Sequence, residues 1–282
     1  VKDTESFVNV VKSIAPSFGA INLEDIESPR CFEIFDALNG KIGIPVFHDD
    51  RQGTGMVTTA ALINSLKILG KKIDSVKIVI AGAGAAGYGI IKLLKAVGAQ
   101  NIIVTDSKGI IYQGREGLTK YKQELADVTN REKIHGTLAD ALKGADVVIA
   151  ASAVKGLVTK EMVKSMNADP IVFALSNPDP EIFPTDAKEA GAAIVATGRG
   201  DFPNQINNVL VFPGAMRGVL DANASIINEE MMVSGIHALA DIVKDEMDRE
   251  HILPAANDKR ILPAVSNAVR EAAVRTGVAR NK

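Results

Sequence analysis

Cysteine is nearly absent. Cys31 is the only one among 282 residues, so no disulfide can form within the chain, and a reducing compartment, the cytoplasm, is the expected setting. An excess of charge is missing too. The chain has 32 Lys and Arg against 34 Asp and Glu, a net charge of −2. That balance gives no electrostatic case for nucleic acid or for an anionic membrane as partner. No apolar run approaches the length of a membrane span. The opening VKDTESFVNV is neither a signal peptide nor a transit peptide. It also lacks an initiator methionine, so a trimmed or partial chain is expected. His48, His135, His237 and His251 show no paired spacing for zinc. No G-x-S-x-G elbow and no Walker A pattern occurs. What remains is 46% hydrophobic and 23% charged, the composition of a globular protein with one large domain or two ordinary ones. Disordered, collagen-like and disulfide-scaffold classes are excluded.

Strand-length apolar runs alternate with helical patterns along the chain. Phe7, Val8, Val11 and Ile14 have helical spacing, limited by Pro16. Strands are expected at 20–23 and 44–47, with a helix over CFEIFDAL between them and another from Thr54 to Leu69. From Val76 a regular series begins. Strands are expected at 77–82, 101–106, 145–151, 171–176 and 192–197. Helices are expected at Gly87–Val97, 116–126, 137–143, 159–166 and 185–190, and a mainly helical stretch follows Asn208. Continuous Val/Ile runs between helices indicate parallel strands covered on both faces, a doubly wound α/β sheet of Rossmann type.

Gly82-Ala83-Gly84-Ala85-Ala86-Gly87 is G-x-G-x-x-G, leaving a Val/Ile strand and entering a helix. The first Gly allows the tight turn, the second lets backbone approach a pyrophosphate, and the third allows close helix–strand packing. The helix N-terminus offers free N–H groups to phosphates. Asp106 ends the next strand, 19 residues after Gly87, where an acid accepts hydrogen bonds from the adenosine ribose. A carboxylate there favours NAD by repelling a 2′-phosphate. Ser107 and Lys108 could instead contact that phosphate, so NADP stays open. A glycine-rich turn without ligand is the alternative, disfavoured because strand, helix and acid all agree.

Glu24-Asp25 and His48-Asp49-Asp50 fall at the ends of the first two expected strands, where open α/β sheets place ligands. Clustered acids repel each other, and a hard cation, Mg²⁺ or Mn²⁺, relieves that repulsion. Solvated loop acids, or Asp25 as a cap, are the alternatives. Asn177 lies in Ser-Asn-Pro-Asp-Pro, and Asn207-Asn208 precede Val-Leu-Val-Phe-Pro-Gly. On their own these read as turn residues. Cys31, beside Phe32, reads as core. Met231, Met232 and His237 read as helix packing, and Tyr88, Tyr112 and Tyr121 have no visible catalytic partner.

Taken in order, FGAINLEDIESPRCFEI, IPVFHDDRQGTG, GAGAAG, ALSNPDPE and ATGRGDFPNQINNVLVFPG resemble the malic enzymes, and most closely their smaller bacterial and archaeal type. The resemblance implies oxidative decarboxylation of malate to pyruvate and CO₂ with reduction of NAD(P), by a homodimer. It puts Glu24, Asp25 and Asp50 on a divalent metal, with Asp49 beside it. It assigns Asn177 and Asn208 to substrate, and Gly82, Gly84, Ala85, Ala86, Gly87, Asp106, Asn177 and Asn207 to the cofactor. It divides the chain into a cofactor domain at 49–206 and a second, discontinuous α/β domain at 1–48 and 207–282, with the active cleft between. The family's general acid Tyr, general base Lys and a substrate-binding Arg belong to a segment that would precede Val1, and nothing before Glu24 resembles it. The catalytic residues are therefore left unassigned. Two other readings stay open. One is a non-catalytic NAD-binding module. The other is a different Rossmann enzyme, such as an amino-acid dehydrogenase, which would show no metal requirement.

Overall fold

The computed structural model describes residues 3–280, so the outermost residues of the expected second domain, 1–2 and 281–282, lie outside it. Asp3 caps the first helix, α1 (Thr4–Ile14), by accepting a 2.7 Å hydrogen bond from the Ser6 N–H. Pro16 stands in the 3₁₀ turn that follows it. Strand β1 (Ile21–Leu23) and helix α2 (Arg30–Leu38) lead to strand β2 (Val46–His48), which lies parallel to β1 with Leu23 opposite His48. The second strand was expected at 44–47. It starts later because Pro45 has no N–H to donate to a ladder, although its carbonyl accepts from Ile21. Val8, Val11, Leu23, Ile34, Leu38 and Val46 form a small core of their own.

Residues Asp49–Gly53 make one widened, π-helical turn and run into α3 (Thr54–Ile68), a helix buried on almost every side. The main sheet begins with β3 (Lys77–Ala81). After it come α4 (Ala85–Ala96), β4 (Asn101–Asp106), β5 (Gly109–Ile110), α5 (Lys120–Val128), α6 (Leu138–Leu142) and β6 (Val147–Ala150). Then come α7 (Lys160–Lys164), β7 (Ile171–Ala174), α8 (Pro184–Glu189) and β8 (Ile194–Thr197). The strand order is β5-β4-β3-β6-β7-β8, parallel except for the short β5, which the sequence pattern does not signal. The expected strands are all present, most of them one or two residues shorter. Two expected helix starts move. Gly84 is the N-cap of α4, so Gly87 falls inside the helix, and Thr119 caps α5 by accepting from the Lys122 N–H, because Gly117 takes a φ of +73° and breaks the pattern.

Alternate residues feed opposite faces of the sheet. Ile78, Ile80, Val104, Ile149 and Phe173 face the large core, whereas Val79, Ile103, Val148, Val172 and Val195 face a second cluster closed by α6, α7 and α8. Helices α9 (Phe212–Asp221), α10 (Glu229–Asp241) and α11 (Ile261–Arg275) complete the chain. Met231, Ile236, Val265 and Val269 from these helices share the large core with Met56 and Leu62 of α3. The Asn64 amide ties α3 to this layer through the carbonyls of Ala240 (2.8 Å) and Ile252 (2.9 Å). The segment up to β2 thus builds a small core of its own but also sends Cys31 and Phe32 into the large one, which the helices after 207 share with the sheet. Among the described residues, no helix is long and apolar enough to cross a membrane.

The widened turn is clamped from behind by α4. A Cβ added at Gly89 would run into the Arg51 carbonyl, and one added at Gly55 would lie 2.8 Å from the Gly89 carbonyl. Gly89→Ala is therefore expected to cost about 1–3 kcal/mol, the usual cost of overpacking. A lowered urea midpoint at constant m-value would register it; an unchanged midpoint would mean that the turn yields freely.

Candidate active site

The strand order reverses at β3, which has β4 on one side and β6 on the other. Crevices form at such switch points, beyond the carboxyl ends of the strands. Here a cavity of about 350 Å³ is lined by Gly82, Gly84, Asp106, Ser107, Lys122 and Ser152 among others. Gly82 takes a φ of +122°. At Gly84 a Cβ would meet nothing within 4 Å, so the backbone stands open to the cavity, whereas at Gly87 it would strike the Gly82 carbonyl. The three glycines thus serve the turn, the opening and the packing. Ala85 and Ala86 form the first turn of α4, where N–H groups lack intrahelical acceptors.

Asp106 stands on the rim of this cavity with its oxygens already engaged. The Arg115 guanidinium donates to both (2.7 and 2.8 Å), Lys122 Nζ donates at 2.6 Å and the Lys108 N–H at 2.9 Å. Burial by itself would raise this carboxyl; Lys122, Arg115 and the Lys108 N–H outweigh it and hold the pKa below the usual value. The acid is legible in the sequence, but its two cations, Arg115 from a loop and Lys122 from α5, are not.

A second cavity, of about 510 Å³, is lined by Glu24, Asp49, Asp50, Asn177, Asn207 and Asn208 among others. Asp25 does not line it. Its backbone, at φ +54°, instead directs its N–H to Asp50 Oδ2 at 3.0 Å. Asn208 donates to Asp49 Oδ2 at 3.0 Å and accepts from Thr54 Oγ1 at 3.1 Å. Asn207 caps the short turn after it by accepting from the Val209 N–H. Asn177 lies against Gly198, where a Cβ would sit 2.7 Å from its amide nitrogen. Asn177 and Asn207, both expected at the cofactor, face this acidic cavity and not the glycine-lined one.

The expected His48-Asp49-Asp50 cluster splits where the strand ends: His48 closes β2, while Asp49 and Asp50 belong to the widened turn and line the cavity. His48 is fully buried near Phe35, with neither ring nitrogen hydrogen-bonded; burial first, and then the Arg51 charge, lower its pKa to about 4. The imidazole is held neutral and away from the acids. Burial raises Asp49 to about 6, with the Asn208 amide opposing and Glu24, Asp50 and Asp25 adding repulsion. Asp50 is raised by burial, opposed by the Asp25 N–H, and again repelled by Asp25 and Glu24.

Among the described residues, no three His, Cys, Asp or Glu side chains stand close enough to enclose a metal ion. The donor set nevertheless suits a hard cation. Glu24, Asp49 and Asp50 share one cavity and repel each other, and Asp49 Oδ1 is buried with no hydrogen-bond partner among the described residues. A cation between them would satisfy that oxygen and lift the repulsion.

A parallel sheet reversing at a glycine turn, with an acidic cavity next to the resulting crevice, defines an α/β dinucleotide-binding protein. The chain belongs to the malic enzyme family. Residues 51–276 match the family model "Malic enzyme, NAD binding domain" and residues 1–39 match "Malic enzyme, N-terminal domain". The chain is 52% identical over 280 residues to the bifunctional malic/malolactic enzyme of Bacillus subtilis, covering 99% of this chain and 68% of that protein. It is 48% identical to the NADP-dependent malic enzyme of Halomonas elongata, covering 98% and 68%. The crystal structure of malic enzyme from Pyrococcus horikoshii superposes with a TM-score of 0.95 at 43% identity, covering 100% of this chain and 67% of that one. The chain therefore spans about two thirds of the length of these relatives.

Proposed function

We propose that this chain carries the cofactor- and cation-binding part of an enzyme that oxidises and decarboxylates malate to pyruvate and CO₂, reducing NAD or NADP. The observation that carries the reading is the acidic cavity beside the dinucleotide crevice, rimmed by the amides of Asn177 and Asn208. A Mg²⁺ or Mn²⁺ ion bound there supplies Lewis acidity for the substrate hydroxyl and for the negative charge left by CO₂. Glu24 and Asp50 would hold it, with Asp49 beside them and Asp25 joined to Asp50 through its N–H. Asn177 directs an amide at a substrate carboxylate, while Asn208 fixes Asp49. The glycine turn, with its open backbone at Gly84, would seat the pyrophosphate of the dinucleotide.

Among the described residues, the lining of the acidic cavity contains no Lys, Tyr or His. A general acid or base contributes about 10²–10⁴-fold. The 282-residue chain is therefore expected to bind NAD(P) and Mn²⁺ yet to form NADH from malate at least about 100-fold more slowly than a full-length relative. Binding measured calorimetrically, followed by absorbance at 340 nm, tests both halves. Failure to bind either ligand removes the reading. Rapid NADH formation would place the proton-transfer groups within this chain.

A further inference from the structure

Between the two cavities lies a carboxylate that lines neither. Glu181 is fully buried, in the loop that follows Asn177-Pro178-Asp179-Pro180. Its Oε1 accepts from the Ser152 N–H (2.7 Å), the Ser152 hydroxyl (2.9 Å) and the Ser176 hydroxyl (2.6 Å), and its Oε2 accepts from the Ser176 N–H (3.3 Å). All four donors are neutral. Burying a charge among neutral donors opposes stability unless the geometry is well matched.

That geometry is passed on by the two serines. Each gives its hydroxyl proton to Glu181 and accepts a backbone N–H with the same oxygen: Ser176 Oγ from Ala153 (2.9 Å), Ser152 Oγ from Val154 (3.2 Å). Ala153 sits at a φ of +58°, which a residue with a Cβ adopts only when its surroundings impose it. Ser152 and Val154 line the dinucleotide cavity, and Asn177, bonded to Ser176 in sequence, lines the acidic one. One carboxylate therefore holds a wall of each cavity.

We propose that Glu181 is a positioning residue which, through the hydroxyls of Ser152 and Ser176, fixes the turn at 151–154 against Asn177 and so sets the alignment of cofactor and substrate. The proposal rests on the reading of the chain as part of an NAD(P)-dependent enzyme. Its test uses Ser176, which lines neither cavity. Ser176→Ala removes the bond to Glu181 and the acceptor for Ala153 together. NADH affinity, followed by cofactor fluorescence, should fall about three- to tenfold, the effect of one or two hydrogen bonds. Mn²⁺ affinity, followed by water proton relaxation, should stay unchanged. Ser176→Thr keeps the hydroxyl and should restore NADH binding. Glu181→Gln, which turns an amide donor towards the Ser176 N–H, should lower it again. Variants that melt earlier but bind NADH as the parent does would overturn the proposal, because Glu181 would then serve the fold alone. So would a Ser176→Thr variant as weak as Ser176→Ala. A parent chain that binds no NADH would overturn the functional reading itself, and this inference with it.

Discussion

Asp50→Ala is expected to abolish measurable Mn²⁺ binding while leaving the chain folded. Altering even a residue that only orients a metal ligand typically costs about 10–100-fold in affinity, so losing a carboxylate donor should cost more. The fold should tolerate the change. Among the described residues Asp50 accepts one hydrogen bond, from the Asp25 N–H, and Asp25 is exposed, so water can replace that acceptor. Removing Asp50 also ends its repulsion with Asp25 and Glu24. The variant should melt no earlier than the parent in the absence of metal, and its Mn²⁺ relaxation titration should be flat. An unchanged titration would remove Asp50 from the metal site.

The second large effect concerns cofactor choice. Asp106 is sandwiched between Arg115 and Lys122, and only 7% of its side chain is exposed. While the carboxylate is present, it neutralises those cations and repels a 2′-phosphate. Asp106→Asn keeps the shape and removes the charge. Lys122, 31% exposed on the cavity rim, is then free to meet a phosphate. A charge-assisted hydrogen bond contributes about 1.5–3 kcal/mol, so NADP affinity should rise roughly tenfold or more while NAD affinity falls by a similar factor. Lys122→Ala should act in the opposite sense on NADP. Parallel titrations of both cofactors decide the matter. A ratio of NAD to NADP affinity that stays constant across the three proteins would show that this rim does not touch the adenosine ribose.

The sheet was legible because its strands are uninterrupted Val/Ile runs. β4 spans Asn101–Asp106 as the pattern predicts, and buried parallel strands need no subtler code. Ends were less legible, because a helix start depends on φ/ψ at one residue. Gly84 and Thr119 act as caps, whereas the apolar pattern alone puts the helix starts at Gly87 and residue 116. The acids of the candidate site could be read from their places at strand ends, which is why Glu24, Asp49 and Asp50 meet in one cavity. What surrounds them could not be read. Arg115 and Lys122 reach Asp106 from 9 and 16 residues away, with no periodic relation to it. Glu181 follows two prolines and an aspartate, a context that suggests a solvated loop, and only the fold reveals that it is buried.

The division of the large core between a central sheet and a late helical layer governs the order of assembly. Strands β3 to β8 arise from one uninterrupted stretch, 77–197, and most of their pairings join neighbours in sequence, the exception being β3 with β6, where Ile78 lies opposite Val147. The buried face of α3 waits much longer. Its Met56 is covered by α10 and α11, and Gly235 and Val269 reach it only once those helices exist. Contacts between positions so far apart in sequence form slowly. On the ribosome, the sheet can organise first with α4 against α3, while the other face of α3 stays sticky and uncovered until the chain has grown past Val269. A nascent chain stalled before that point exposes Met56 and its neighbours to chaperones or to other nascent chains.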